Sequence, residues 1–264
     1  MVRQTRRGVL AGVGGAGAAA LIGTGGTAFA GDEHKDDEYE DDKHEDDERP
    51  PREDAFATLK AVHASPDAPN VDVYVNGLPV LQDVPFGAVS GNFVLGVGAY
   101  RIQVTPAGEP PEAAVIDETL ELDAAPYTVG AIGEVREGAE NPLQPLVLVD
   151  DVSPLEKGTV RVRFVHASPD APAVDIVPTE VGEPVFTNVS FGEAQTVSIP
   201  EGEYTLEVRP AGTEDAVAEF PAAFEGGWVY SAWAIGYLDP EQAPVDQPLD
   251  LLLGVDGGTP LAEH

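Results

Sequence analysis

The 264-residue chain contains no cysteine, which excludes disulfides and thiolate metal sites. It is also poor in positive charge. Four residues are lysines (Lys35, Lys43, Lys60 and Lys157), and 14 basic side chains face 47 acidic ones, a formal net charge of −33. The basic face that nucleic-acid binding requires is therefore missing. Long apolar runs are scarce too. The most apolar stretch, Val9 to Ala28, is diluted by repeated glycines, whereas a spanning helix needs about 20 strongly apolar residues. No transmembrane span is expected in the mature chain. No window carries a sustained helical period, so helical folds are set aside.

What is present begins with the pair Arg6-Arg7 ahead of that weakly apolar stretch, followed by the small-x-small triplet Ala28-Phe29-Ala30. This is the pattern of a twin-arginine export signal, with cleavage expected after Ala30. Residues 1–30 are thus read as a signal peptide. The next segment, 31–54, holds 14 acidic and four basic residues, with His34 and His44, and almost nothing apolar. It cannot bury enough surface to offset the entropy of ordering and reads as a disordered, solvated spacer. The acidic excess as a whole suits a halophilic archaeal protein. Self-repulsion of this size opposes a compact state in dilute buffer and is screened where the Debye length falls to about 3 Å at molar salt.

From Ala55 onward the chain consists of short β-branched runs broken by Gly and Pro. Strands are expected at Thr58–His63, Val71–Val75, Asn92–Val97, Tyr100–Thr105, Ala114–Leu122, Tyr127–Ile132 and Pro145–Val149, a spacing that suits an antiparallel β-sandwich. The segment Val62-His63-Ala64-Ser65-Pro66-Asp67-Ala68-Pro69-Asn70-Val71-Asp72 then recurs, with one change, as Val165 to Asp175, 103 positions later. Gly98-Ala99-Tyr100 recurs as Gly202-Glu203-Tyr204, and Ala131-Ile132-Gly133 as Ala234-Ile235-Gly236. Two tandem all-β domains are expected, over 55–151 and 158–256.

The repeated His-Ala-Ser-Pro-Asp-Ala-Pro-x-Val-Asp, the Val84-Pro85-Phe86-Gly87 and Val189-Ser190-Phe191-Gly192 segments, the Gly-x-Tyr strand and the Tyr127-Thr128-Val129-x-Ala131-Ile132-Gly133 strand resemble the domain of unknown function 4397 family. The resemblance covers nearly all of 57–255 as two copies. It implies an extracytoplasmic immunoglobulin-like or transthyretin-like module. It carries no activity and no catalytic residues.

Strand parity places His63 with Leu59 and Ala61, and His166 with Val162 and Phe164, on the apolar faces of their strands. Each imidazole is expected to be buried, bonded to a carbonyl or carboxylate, and to hold the loop that follows it. Ser65, Asp67, Ser168 and Asp170 read as structural members of those loops, which suit turns. Asp67, Asp72, Asp170 and Asp175 are weak calcium candidates, since Ca²⁺ takes several hard oxygens, although their spacing matches no recognised calcium loop. His63, Ser65 and Asp67 have the residue types of a hydrolase triad but no nucleophile elbow. Trp228 and Tyr230 lie on one face of a strand and Trp233 on the other. Trp228 and Tyr230 are candidates for stacking on a sugar or a partner. Against this stands a plainer reading, one Trp buried and the other half-covered at the domain junction. Asn188-Val189-Ser190 is a glycosylation pattern in an expected loop.

Together these features point to an exported, non-enzymatic cell-surface or secreted module, with no catalytic residue and no cofactor. It would bind a surface polymer, a protein or the cell-surface layer. The alternatives are an ion-binding extracellular module, with calcium at the loops, and a carbohydrate-active enzyme.

Overall fold

In the computed structural model, residues 55–258 are described. The expected export segment with Arg6 and Arg7, and the acidic run, lie outside them. Among the described residues the chain is all-β. Its strands are β1 (Phe56–Ala64), β2 (Val71–Val75), β3 (Leu78–Val84), β4 (Phe93–Gly96), β5 (Gly98–Pro106), β6 (Ile116–Leu122), β7 (Pro126–Ile132) and β8 (Gln144–Val149). There follow β9 (Thr159–His166), β10 (Val174–Pro178), β11 (Phe186–Val189), β12 (Ala194–Pro200), β13 (Gly202–Pro210), β14 (Ala218–Phe224), β15 (Trp228–Ile235) and β16 (Asp250–Gly258). One 3₁₀ turn, Pro111–Ala113, interrupts the pattern. No helix among these residues is long and apolar enough to cross a membrane.

The strands form four sheets of four. In the N-terminal half the orders are β4-β1-β7-β8 and β3-β2-β5-β6. In the C-terminal half they are β12-β9-β15-β16 and β11-β10-β13-β14, so the order repeats strand for strand. Two features differ from the sequence expectation. The strand β3 was not expected; its side chains are mostly exposed or half-buried, and its register with β2 shifts twice, which erases the period-2 signal. Two of the four sheets are also mixed rather than antiparallel. β1 pairs in parallel with β7 through seven residues, Thr58↔Pro126 to Ala64↔Ile132, and β9 pairs in parallel with β15. Parallel pairs occur where both faces are covered, and both faces of β1 and β9 are.

One face of each strand lines the interior of its own half. In the C-terminal half a single cluster joins Val162, Phe164, Ile176, Phe186, Leu206, Phe224 and Tyr230, drawn from both sheets. In the N-terminal half the equivalent interior divides into two clusters. One centres on Val71, Val73, Ile102, Val104 and Ile116, the other on Ala57, Leu59, Leu122 and Tyr127.

The opposite face joins the halves. Val62, Ala64 and Ile132 of one half and Val165, Ala167, Trp233 and Ile235 of the other form one buried cluster. Trp233 fits there because its counterpart in the other half is Gly130. A Cβ on Gly130 would stand 2.8 Å from the Trp233 ring. Large and small thus interdigitate across the junction, the arrangement close packing requires.

Truncating Trp233 to Ala should cost about 3–5 kcal/mol, the range for a buried aromatic. Urea titration at molar salt measures it. A loss under about 1 kcal/mol would mean that the junction contributes little.

Candidate functional site

The repeated loop of each half starts where β1 or β9 ends. His63 is 2% exposed and His166 fully buried. His63 Nε2 lies 3.1 Å from the Pro69 carbonyl oxygen, and His166 Nε2 lies 2.9 Å from that of Pro172. The Ser65 backbone N–H reaches His63 Nδ1 at 3.4 Å, so Nε2 carries the proton and donates to Pro69. Each ring therefore clips the start of its loop to the end. Burial lowers both imidazole pKa values from the ordinary one, against the smaller opposing effect of the backbone hydrogen bond.

The loop aspartates do the same job toward other segments. Asp67 accepts from the N–H groups of Val135 at 2.8 Å and Arg136 at 3.2 Å. Asp170 accepts from Leu238 at 2.7 Å and Asp239 at 2.8 Å. The buried Asp72 takes the N–H of Asp83 at 2.7 Å and of Gly108 at 2.9 Å. Asp175 takes those of Asn188 at 2.7 Å and Gly212 at 2.9 Å. Asp83 and Asn188 have φ of 53° and 50°, and a charge-assisted bond to the N–H holds each of these left-handed residues in place. The four calcium candidates thus face backbone donors. Among the described residues no three His, Asp or Glu side chains gather as a metal group would need.

The triad residue types are close but not linked. The Ser65 hydroxyl has no hydrogen-bond partner, and Asp67 is engaged with backbone. In the other half Ser168 Oγ donates to Asp170 at 3.2 Å. Tyr230 lies in the interior cluster, with Trp228 half-buried against it. The Tyr230 hydroxyl accepts from the Glu225 N–H at 3.1 Å, as Tyr127 does from Asp123. These two side chains form no exposed stacking platform. One tryptophan is buried and the other half-covered, but it is the buried Trp233 that lies at the junction, while Trp228 packs against the interior of its own half. Asn188 lies on β11 rather than in a loop, and is exposed.

Sequence reasoning missed the polar core of the junction. Lys60 and Arg163 occupy equivalent places on β1 and β9 and are 4% and 6% exposed. Lys60 Nζ pairs with Asp256 of the other half at 2.5 Å. Arg163 pairs with Asp150 at 2.7 Å and with Asp256 at 3.0 Å. Ser231 Oγ accepts from Arg163 Nε at 2.9 Å and donates to Asp256. Thr128 Oγ1 donates to Asp150 at 2.9 Å. Two cations, two carboxylates and two hydroxyls therefore close on one another, with the halves exchanging partners. The advance signal was the appearance of a basic residue at the same place in both copies of the strand.

At one end of the junction lies an open cleft of about 480 Å³, lined by Glu134, Arg136 and Glu140 of the N-terminal half and by Pro169, Asp170 and Tyr237 of the other. There the Tyr237 hydroxyl donates to Glu134 Oε1 at 3.0 Å, between equivalent positions of the two halves. Arg136 grips the same carboxylate. Asn141 Nδ2, between β7 and β8, donates to the Pro169 carbonyl of the second half's histidine loop at 2.8 Å. Burial, then the bond to Glu134, pushes the Tyr237 phenol far above its ordinary pKa. Chemically the cleft presents satisfied pairs.

Comparison with known proteins finds one family. Residues 57–177 match the family described as Domain of unknown function (DUF4397). A DUF4397 domain is present. The matched stretch runs from β1 through the N-terminal half and on through most of β10. No curated protein matches the chain. Among solved structures, the chain is similar to the Bacillus anthracis TIE protein at 15% identity and a TM-score of 0.20, over 65% of this chain and 32% of that one. It is also similar to a leucine-rich repeat protein from Bacteroides thetaiotaomicron VPI-5482 at 14% identity and a TM-score of 0.16, over 66% of this chain and 24% of that one.

The lowered imidazole pKa values fix a pH dependence. A neutral, buried His takes up a proton less readily than the unfolded chain does. Its contribution is complete above the ordinary value of about 6.5 and is lost as pH falls below it. Urea midpoints at molar salt should therefore drop from pH 7.5 to pH 5.5. The His63→Gln, His166→Gln double variant should be less stable at pH 7.5 and show a flatter profile. An unchanged slope in that variant would show that the histidines are not the titrating groups.

Proposed function

We propose that the protein is an exported, non-enzymatic module of a halophilic cell surface, built of two tandem immunoglobulin-like or transthyretin-like sandwiches. On this reading it serves as a rigid binding or structural unit on an acidic spacer. The observation that carries the proposal is how the loop polar groups are used. His63, Asp67, Asp72 and their counterparts in the second half are hydrogen-bonded to backbone N–H and C=O groups. They position chain rather than reacting atoms. The repeated strand order supports a duplicated module, and duplication favours binding, because two weak sites on one rigid body gain avidity. A polysaccharide, a protein or the surface layer itself would be the partner.

Export is proposed from Arg6-Arg7 and the Ala28-Phe29-Ala30 triplet. A twin-arginine route carries folded cargo, which suits a chain of net charge −33 that folds best in concentrated salt. The exposed Asn188 supports glycosylation outside the cell.

Replacing Arg6 and Arg7 with lysine should leave precursor inside the cell, while the wild-type chain appears outside beginning at Gly31. Immunoblotting of cell and medium fractions, with N-terminal mass spectrometry, measures both. Normal secretion of the double variant would contradict the twin-arginine route.

A further inference from the structure

The two halves share strand order, yet their interiors are filled differently. In the C-terminal half Phe164, Phe186 and Phe224 meet in the middle, with the Phe164 and Phe186 rings 5.7 Å apart. By register their counterparts are Ala61, Leu81 and Leu122, and Phe220 corresponds to Glu118. The smaller side chains leave an apolar void of about 50 Å³ between the two N-terminal clusters. Next to it, behind the loop, lies a second space of about 140 Å³. His63, Val71, Val104 and Ala131 belong to the walls of both. The corresponding space in the C-terminal half is about 10 Å³, although most of its wall residues are the same. One difference is Leu238 where the N-terminal half has Val135.

We propose that the N-terminal half binds a small, largely apolar molecule with one hydrogen-bonding oxygen, held between its sheets with Ser65 Oγ as the polar contact. The size fits, because aliphatic cavities of about 150 Å³ take benzene and stay free of water. The polar requirement comes from Ser65. It is fully buried and lines the larger space, and its hydroxyl has no partner. Such a group in a native interior calls for an occupant. Its twin Ser168 is satisfied by Asp170, so the free hydroxyl belongs to the hollow half alone. The other polar side chain in that wall, His63, has Nε2 on Pro69 and Nδ1 on the Ser65 N–H. A lone water would find one free partner where it needs two to four. A charged ligand would lose its hydration with nothing to offset the loss. Access lies past Val115 and Val135, exposed at 49% and 41%. The proposal goes beyond the surface-module reading and does not depend on export.

Phenol and benzene serve as probes, titrated into the full chain at molar salt and followed by two-dimensional amide NMR. Phenol should give saturable shifts at Ser65, Ala68, Val115 and Val135, and none at Ser168, Ala171, Val217 and Leu238. Ser65→Ala should weaken phenol by about three- to tenfold, the effect of one neutral hydrogen bond, and leave benzene unchanged. Val135→Leu copies the wall of the other half and should weaken both probes. No saturable shift, equal shifts in the two halves, or phenol affinity unaffected in both variants would each overturn the proposal.

Discussion

The buried pairing of Lys60 and Arg163 with Asp256 and Asp150 is the constraint on which the rest of the architecture depends. Each cation sits on the middle strand of a sheet that is covered on both faces. Neither could be tolerated there alone, because an uncompensated buried charge costs about 3–5 kcal/mol when its partner is removed. The carboxylates come from the ends of β8 and β16, and Lys60 reaches into the other half for its own. The charges therefore close only when the halves meet in one register. The apolar contacts around them, Trp233 over Gly130 foremost, supply area; the ion pairs specify alignment. Buried pairs are also screened far less than surface ones, so the alignment holds at molar salt as well as in dilute buffer.

This junction explains why the outer ends of the two repeats lie together. Once β1, β7 and β8 face β9, β15 and β16, the two histidine loops are brought to one end. Tyr237 then meets Glu134, and Asn141 reaches Pro169. The loops are rigid because their aspartates hold neighbouring segments, and the histidines tie each loop to its own strand. The two halves share strand order but are not equal. One interior is filled with aromatic rings, and the other keeps its space and an unpaired hydroxyl.

Much of this was legible in the sequence, and for identifiable reasons. The repeat of Val62–Asp72 at Val165–Asp175 announced the repeated strand order, since equal segments make equal local structure. Period-2 parity placed His63 and His166 on the inner face of their strands. The strand β3 escaped because its side chains are largely exposed and its register slips. The parallel pairing of β1 with β7 was hidden because a parallel neighbour leaves no local turn signal. The role of Lys60 and Arg163 was hidden because the carboxylate that covers Lys60 lies 196 residues away. Trp233 against Gly130 offered a clue, a bulky residue in one copy where the other has no side chain. That complementarity has meaning only once the two strands are known to face each other.

The central claim is that the halves form one cooperative body through this charge-containing junction. The direct measurement is urea unfolding at molar salt of a Trp228→Phe chain, in which Trp233 at the junction is the only tryptophan. Its fluorescence and the far-ultraviolet circular dichroism of both halves are followed together. The account predicts one transition with coincident midpoints, the mark of two-state behaviour. A Trp233 signal that changes at lower urea while most of the circular dichroism persists would contradict it, because the halves would then separate before either unfolds.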